Sequence, residues 1–147
     1  MMPPRSHPGL RLLTIGVYGY SEEAFFQALH DAGVDTFCDV RYRRGVRGRE
    51  YAFANRQRLE AGLSELGIRY LHFRDLAPSP ARRAQQAAAD QRTRTARRQR
   101  TILSDDFIRG YKVDCLQQLD TAQFMERLGS EARVVALFCV ERDPRAC

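Results

Sequence analysis

Four short apolar segments alternate along this chain with stretches of helical periodicity, and that alternation constrains the fold more than any other feature. The apolar segments are 12–15, 34–40, 68–73 and 133–140. A strand, helix, strand unit forms a parallel pair of strands with a crossover helix. Its repetition predicts an α/β fold: a single three-layer domain with about four mainly parallel strands and flanking helices.

Capping residues mark the predicted helices. The clearest helix follows Ser21, carries two glutamates in its first turn and ends at Gly33. Three further helices are predicted from Asn55 to Leu66, from Asp105 or Asp106 to Leu119, and from Thr121 to Leu128.

Length and hydropathy restrict the class of protein. A chain of 147 residues fits one domain, which we place at residues 11–147. Residues 1–10 contain three prolines and a glycine and are predicted to be a disordered lead-in. No apolar run is long enough to span a membrane or to form the core of a signal peptide. We therefore expect a cytoplasmic protein without a membrane partner.

Arginine dominates the charge, with 24 basic against 18 acidic residues and a net charge of +6. Residues 41–49 hold five arginines and two glycines and are predicted to be a loop. Residues 81–100 hold seven arginines and no large apolar residue. A helix there would project into solvent, bind something or be poorly ordered.

Such arginine clusters predict nucleic acid or a phosphorylated ligand as the partner. In the loop, the side chains predicted to bind nucleic acid are Arg43, Arg44, Arg47 and Arg49. Tyr42 and Tyr51 are available to stack on bases. The alternative is a solvated charged surface with no ligand.

Polar side chains follow the predicted strands at their carboxyl ends, where ligands bind in open α/β sheets. The residues predicted to share a catalytic pocket there are Asp39, Arg41, Cys139, Glu141 and Cys147. In this hypothesis Arg41 holds an anion, Asp39 or Glu141 acts as acid or base, and a cysteine thiolate is the nucleophile.

Each of these residues also has a structural interpretation. Cys139 alternates with apolar neighbours and can be a core residue, and Asp39 can form a structural ion pair with Arg41. His72, inside an apolar strand, is typical of a hydrogen-bonded core histidine. A cytoplasmic location predicts reduced thiols at all four cysteines.

Motifs for a metal or a cofactor are missing from the sequence. Cys139 and Cys147 lie eight residues apart, and no Cys-x-x-Cys pair occurs. The Gly16 to Gly19 turn lacks the glycine pattern of a dinucleotide or phosphate loop. We therefore expect neither a metal nor a cofactor.

Four motifs in order (LLTIG, FCDVR, GIRYLHF followed by Leu76, and LFCVERDPRAC) resemble the domain of unknown function 488 family from Leu12 to Cys147. The resemblance implies a small α/β protein with functional residues at Asp39, Arg41, Cys139, Glu141 and Cys147. Family members usually have His-Ser where this chain has Val17-Tyr18. They usually continue after the second cysteine with His-Arg and a helix, so we expect this domain to lack that helix.

Three functions stay open at this point. The first is an enzyme that acts on a phosphorylated or nucleic-acid substrate through the strand-end residues. The alternative is a non-catalytic nucleic-acid-binding or accessory protein that uses the arginine-rich loops. The third is a structural or partner-binding domain in which the polar residues only tie loops together.

Overall fold

A sheet of four parallel strands forms the centre of the computed structural model, which describes residues 9–94 and 102–141. The strands are β1 (Arg11–Ile15), β2 (Thr36–Asp39), β3 (Arg69–His72) and β4 (Val134–Phe138). Their order is β1-β4-β2-β3, and every neighbouring pair is parallel. The predicted α/β fold is therefore confirmed, with β4 and β2 in the middle.

Five α-helices in residues 9–94 and 102–141 connect and cover the strands. They are α1 (Glu22–Asp31), α2 (Arg56–Glu65), α3 (Pro80–Arg92), α4 (Asp105–Tyr111) and α5 (Thr121–Leu128). In the described residues, 3₁₀ turns cover Arg49–Ala54 and Arg74–Leu76, and α4 continues as a π-helical turn over Lys112–Leu116. Within the described ranges, no helix has both the length and the apolar character that a membrane crossing needs.

Two helix caps differ from the prediction by one residue. The hydroxyl of Ser104, not Asp105 or Asp106, accepts an N–H from the first turn of α4 at 3.2 Å. Asp120 rather than Thr121 caps α5, also at 3.2 Å. A cap residue must stand just outside the helix with extended backbone, whereas acidic residues inside the first turn stabilise the helix through its dipole.

Side chains alternate between the two faces of the sheet. Phe37 and Ala136 belong to the larger core, which packs under α1 and α2, and Cys38 and Val135 belong to a smaller core under α5. Because neighbouring strand residues point to opposite faces, the sheet is the middle of three layers. The larger core is aromatic and is centred on Phe25, whose ring contacts four other phenylalanine rings.

The arginine-rich segment is helical from Pro80 to Arg92 and packs on α4 through polar contacts. The buried Gln86 accepts the N–H of Ser104 at 2.9 Å, and Arg82 pairs with Asp114 at 2.7 Å. A Cβ atom at Gly110 would collide with the Arg82 guanidinium. The helix therefore does not simply project into solvent, although residues 95–100 of the segment lie outside the described residues.

Asp35 joins the starts of β2 and β4. Its carboxylate accepts the backbone N–H of Val134 at 2.8 Å, that of Arg133 at 3.0 Å and the hydroxyl of Thr36 at 2.7 Å. Burial raises the pKa of Asp35, but these hydrogen bonds outweigh it and hold the pKa below its ordinary value of 3.8.

The lowered pKa of Asp35 predicts an acid-dependent contribution to stability. A carboxyl whose folded pKa is depressed stabilises the fold above its ordinary pKa and loses that effect as the pH falls through the folded value. We expect Asp35→Asn to cost about 1–2 kcal/mol in the free energy of unfolding at neutral pH. This difference should shrink below about pH 4 in urea unfolding measured across pH. A difference that stays constant down to pH 2 would contradict this role.

Candidate functional site

A cleft of about 660 Å³ lies beyond the carboxyl ends of β1, β2 and β4. Its walls come from Tyr18 after β1, residues 41–43 and 45–47 after β2, and Cys139 and Val140 after β4. Pro80, the first residue of α3, also contributes to the lining. We call this feature the strand-end cleft.

Arg41, which lines the cleft, forms a buried ion pair with Asp39. Arg41 donates from Nε to one carboxylate oxygen of Asp39 at 2.9 Å and from Nη2 to the other at 2.8 Å. The backbone N–H of Arg41 also donates to Asp39. The side chains of Asp39 and Arg41 are 0% and 3% exposed, so the pair is almost completely removed from solvent.

Two residues of the neighbouring strand complete this arrangement. The hydroxyl of Tyr70 lies 2.6 Å from the Asp39 carboxylate, and Nε2 of His72 lies 2.7 Å from the carbonyl oxygen of Arg41. Burial is the largest cause that raises the pKa of Tyr70 to about 12, and the hydrogen bond to Asp39 adds to it. The phenol therefore stays protonated and donates to Asp39. Arg44 lies close enough to the same phenol to oppose part of this rise in its pKa. Both Asp39 oxygens are therefore engaged in holding Arg41 and Tyr70.

The remaining nitrogen of Arg41 has no such partner. Nη1 is buried and makes no hydrogen bond within the described part of the chain, whereas Nε and Nη2 are both bound to Asp39. The guanidinium carbon lies 4.7 Å from the centre of the Phe138 ring, so one face of the group is covered. Arg41 is one of the residues that line the cleft, and Nη1 carries its two free N–H donors.

Three more arginines surround the cleft. Arg43 and Arg47 are exposed and Arg83 is half-buried, and all three contribute to the lining together with Arg41. Among the described residues, the lining contains no carboxylate. A concave site lined by one sign of charge concentrates counter-ions, and the amino end of α3 adds positive potential at Pro80.

The loop that carries Arg43 and Arg47 is held against α2. Asn55 was predicted to cap α2, and it does occupy the N-cap position, but its side chain accepts the N–H of Val46 at 2.7 Å instead of a helix N–H. The N–H of Arg56 donates to the carbonyl oxygen of Arg44 at 3.1 Å. The arginine loop is thus attached by hydrogen bonds at two points.

Two tyrosines also line the cleft. Tyr18 is half-buried, and its ring centre lies 5.2 Å from that of Tyr51. Tyr42 is half-buried, and the Arg74 guanidinium lies over one face of its ring at 4.0 Å. Aromatic rings and guanidinium groups thus stand side by side around this cavity.

The five predicted catalytic residues do not all lie in the strand-end cleft. Asp39 and Arg41 form one buried pair, and Cys139 shares the cleft lining with Arg41. Glu141 is buried but is not among the lining residues, and Cys147 lies outside the described residues.

The four predicted nucleic-acid-binding arginines also do not all line the cleft. Arg43 and Arg47 line the cleft, Arg44 belongs to the Tyr70 network, and Arg49 begins a 3₁₀ turn away from the lining. Only two of the four therefore lie where a ligand in the cleft would contact them.

The prediction of reduced thiols is correct for two cysteines and wrong for a third. Cys38 and Cys115 are free and buried, and burial raises the pKa of Cys38 to about 12. Cys139 is disulfide-bonded. It follows the last residue of β4 and is only half-buried, so its sulfur is not enclosed by the core as that of Cys38 is. In this state Cys139 supplies no thiolate.

Sequence reasoning missed Tyr70 and Arg83. Tyr70 lies two residues before His72, so strand alternation predicts that both lie on one face of the sheet, and pairing with β2 makes this the face that carries Asp39. Nothing in the sequence distinguishes Arg83 from the six other arginines between residues 81 and 100. Its place in the cleft depends on how α3 packs on α4.

Comparison with known protein families gives a match to the family described as Domain of unknown function DUF488, over residues 21–147. This range includes every residue of the cleft except Tyr18. The search of curated proteins and the search of solved structures found no significant match.

Proposed function

The chain belongs to the DUF488 family, whose description assigns no activity, and we propose that it binds a phosphorylated ligand in the strand-end cleft, with Arg41 as the anchor. One observation carries this proposal. Arg41 is 3% exposed, is held rigidly by Asp39, and keeps Nη1 without a hydrogen-bond acceptor among the described residues.

A buried charged donor without an acceptor is costly. Leaving such a group unsatisfied costs about 1–3 kcal/mol or more, and a native structure tolerates it where function requires it. A phosphate oxygen at Nη1 would accept one of its free N–H groups in a charge-assisted hydrogen bond. The Asp39 carboxylate already balances the charge of Arg41, so the attraction for a dianion comes from Arg43, Arg47 and Arg83 on the walls.

This proposal assigns Asp39 a positioning role. Its two oxygens accept four hydrogen bonds from Arg41 and Tyr70, so a role as general acid or base would require breaking that network. A disulfide-bonded Cys139 also has no nucleophilic sulfur. The catalytic hypothesis for Cys139, Glu141 and Cys147 stays a prediction from the sequence, and binding is the function that the geometry supports best.

The wall arginines provide the first test. We expect inorganic phosphate and adenosine 5′-monophosphate to shift the Nε–H resonance of Arg41 in NMR titrations. We expect Arg43→Ala and Arg47→Ala each to weaken binding about three- to tenfold, because each removes a charge-assisted contact from an exposed position. Neither residue is in the core, so the fold should be unchanged.

Arg109→Ala is the matched control. Arg109 is exposed on α4, forms a surface ion pair with Asp106 at 2.6 Å, and is not one of the described residues that line the cleft. Arg109→Ala changes the net charge by the same amount as Arg43→Ala or Arg47→Ala, and it should leave the NMR titration of the Arg41 resonance unchanged. If all three variants weaken binding to the same extent, the affinity reflects overall charge and not the cleft, and the proposal fails. It also fails if neither probe moves the Arg41 resonance.

A further inference from the structure

Resting on the proposed phosphate site, we infer that the ligand of the strand-end cleft is single-stranded nucleic acid, with a phosphate on Arg41 and a base against Tyr42. The cleft holds more positive charge, more volume and more aromatic surface than a phosphate monoester uses. The charge, the volume and the aromatic surface of the cleft are independent observations.

The charge is distributed along the cleft. Arg41 lies at its base, Arg43 and Arg47 project from the loop after β2, and Arg83 stands on α3. A monoester carries at most two negative charges, whereas successive phosphodiesters bring one charge each to separate positions. Guanidinium groups arranged in this way fit a charged chain that passes through the cleft.

The aromatic lining fits bases. Arg74 covers one face of Tyr42 at 4.0 Å, which fixes the ring and leaves the rest of it to border the cavity. Tyr18 is held at the end of β1, where its N–H donates to the carbonyl oxygen of Val140 at 3.1 Å. Base-on-aromatic stacking is the usual source of affinity in proteins that bind single strands without sequence preference.

The depth of Arg41 argues against a duplex. At 3% exposure its guanidinium lies below the surface, and Nη1 itself is buried. The phosphates of a duplex lie on a stiff convex cylinder, which cannot enter a concave site of about 660 Å³. A single strand can turn one phosphate inward and splay its bases onto aromatic rings.

Fluorescence anisotropy with labelled dodecamers tests the inference. The probes are oligothymidylate, oligouridylate, an abasic deoxyribose-phosphate chain of the same length, and a hairpin duplex. We expect both single strands to bind roughly tenfold or more tightly than the abasic chain and the duplex. The logarithm of the affinity should fall with the logarithm of salt concentration, with a slope of about −0.7 per phosphate contacted. Arg43→Ala and Arg47→Ala should each make that slope shallower by about 0.7.

Tyr42→Leu should weaken single-strand binding roughly tenfold and leave the abasic chain unaffected. Tyr20→Leu is the control, because Tyr20 is exposed but does not line the cleft. The comparison with the abasic chain needs no variant and is decisive even if Tyr42→Leu does not fold. If single strands bind no better than the abasic chain while monophosphate still shifts Arg41, the nucleic-acid inference is overturned and the phosphate site stands. If no probe shifts Arg41, both fail.

Discussion

Replacing Arg41 by lysine is expected to weaken adenosine 5′-monophosphate binding about 10- to 100-fold while the protein stays folded. Lysine keeps a positive charge beside Asp39, so the carboxylate is not left alone. Its single ammonium group cannot bond both Asp39 oxygens and also present two N–H groups to a ligand, as the guanidinium does. The loss of hydrogen bonds to a charged acceptor is worth about 1.5–3 kcal/mol, which gives the expected factor.

Isothermal titration at fixed low salt measures this loss, and circular dichroism with urea unfolding checks the fold. Arg44→Lys is a matched control, because Arg44 lies in the same loop and near Tyr70 but does not line the cleft. We expect it to change affinity by less than threefold. Equal losses for the two lysine variants would mean that the loop conformation, and not the Arg41 donor, determines binding.

The parts of the site that the sequence could predict are those that need only local spacing. Asp39 and Arg41 are two residues apart at the end of an apolar segment, so strand periodicity was sufficient to place them at the carboxyl edge. The sheet itself followed from the same periodicity, because four apolar segments separated by helices have few arrangements.

The rest depends on contacts between elements. Tyr70 reaches Asp39 because β2 pairs with β3 in the register that places Asp39 opposite His72. The sequence of either strand alone does not determine that register. Arg83 reaches the cleft because Gln86 and Arg82 hold α3 against α4 through polar contacts. Polar contacts of this kind produce no apolar periodicity in the sequence. The oxidation state of Cys139 likewise depends on which sulfur atoms approach in the fold, and the number of cysteines does not determine it.

Removing Asp39 should have the largest effect on stability. Asp39→Ala leaves the Arg41 guanidinium buried without its counter-charge and leaves the Tyr70 hydroxyl without an acceptor. Breaking a buried pair in this way costs about 3–5 kcal/mol, far above the cost for an exposed pair. Urea unfolding measures it, and Asp106→Ala is the control, since the exposed pair of Asp106 with Arg109 should contribute under about 1 kcal/mol.

A double variant separates the structural role of the pair from its proposed role in binding. Asp39→Ala with Arg41→Met removes both charges and fills part of the space with an apolar chain, and such replacements are often close to neutral. We expect the double variant to recover more than half of the stability lost in Asp39→Ala, yet to bind no monophosphate. A stable double variant that binds monophosphate as tightly as the wild type would show that the pair serves the fold alone. A double variant as unstable as Asp39→Ala would show that the instability comes from Tyr70 and the lost backbone hydrogen bond, and not from an unpaired Arg41.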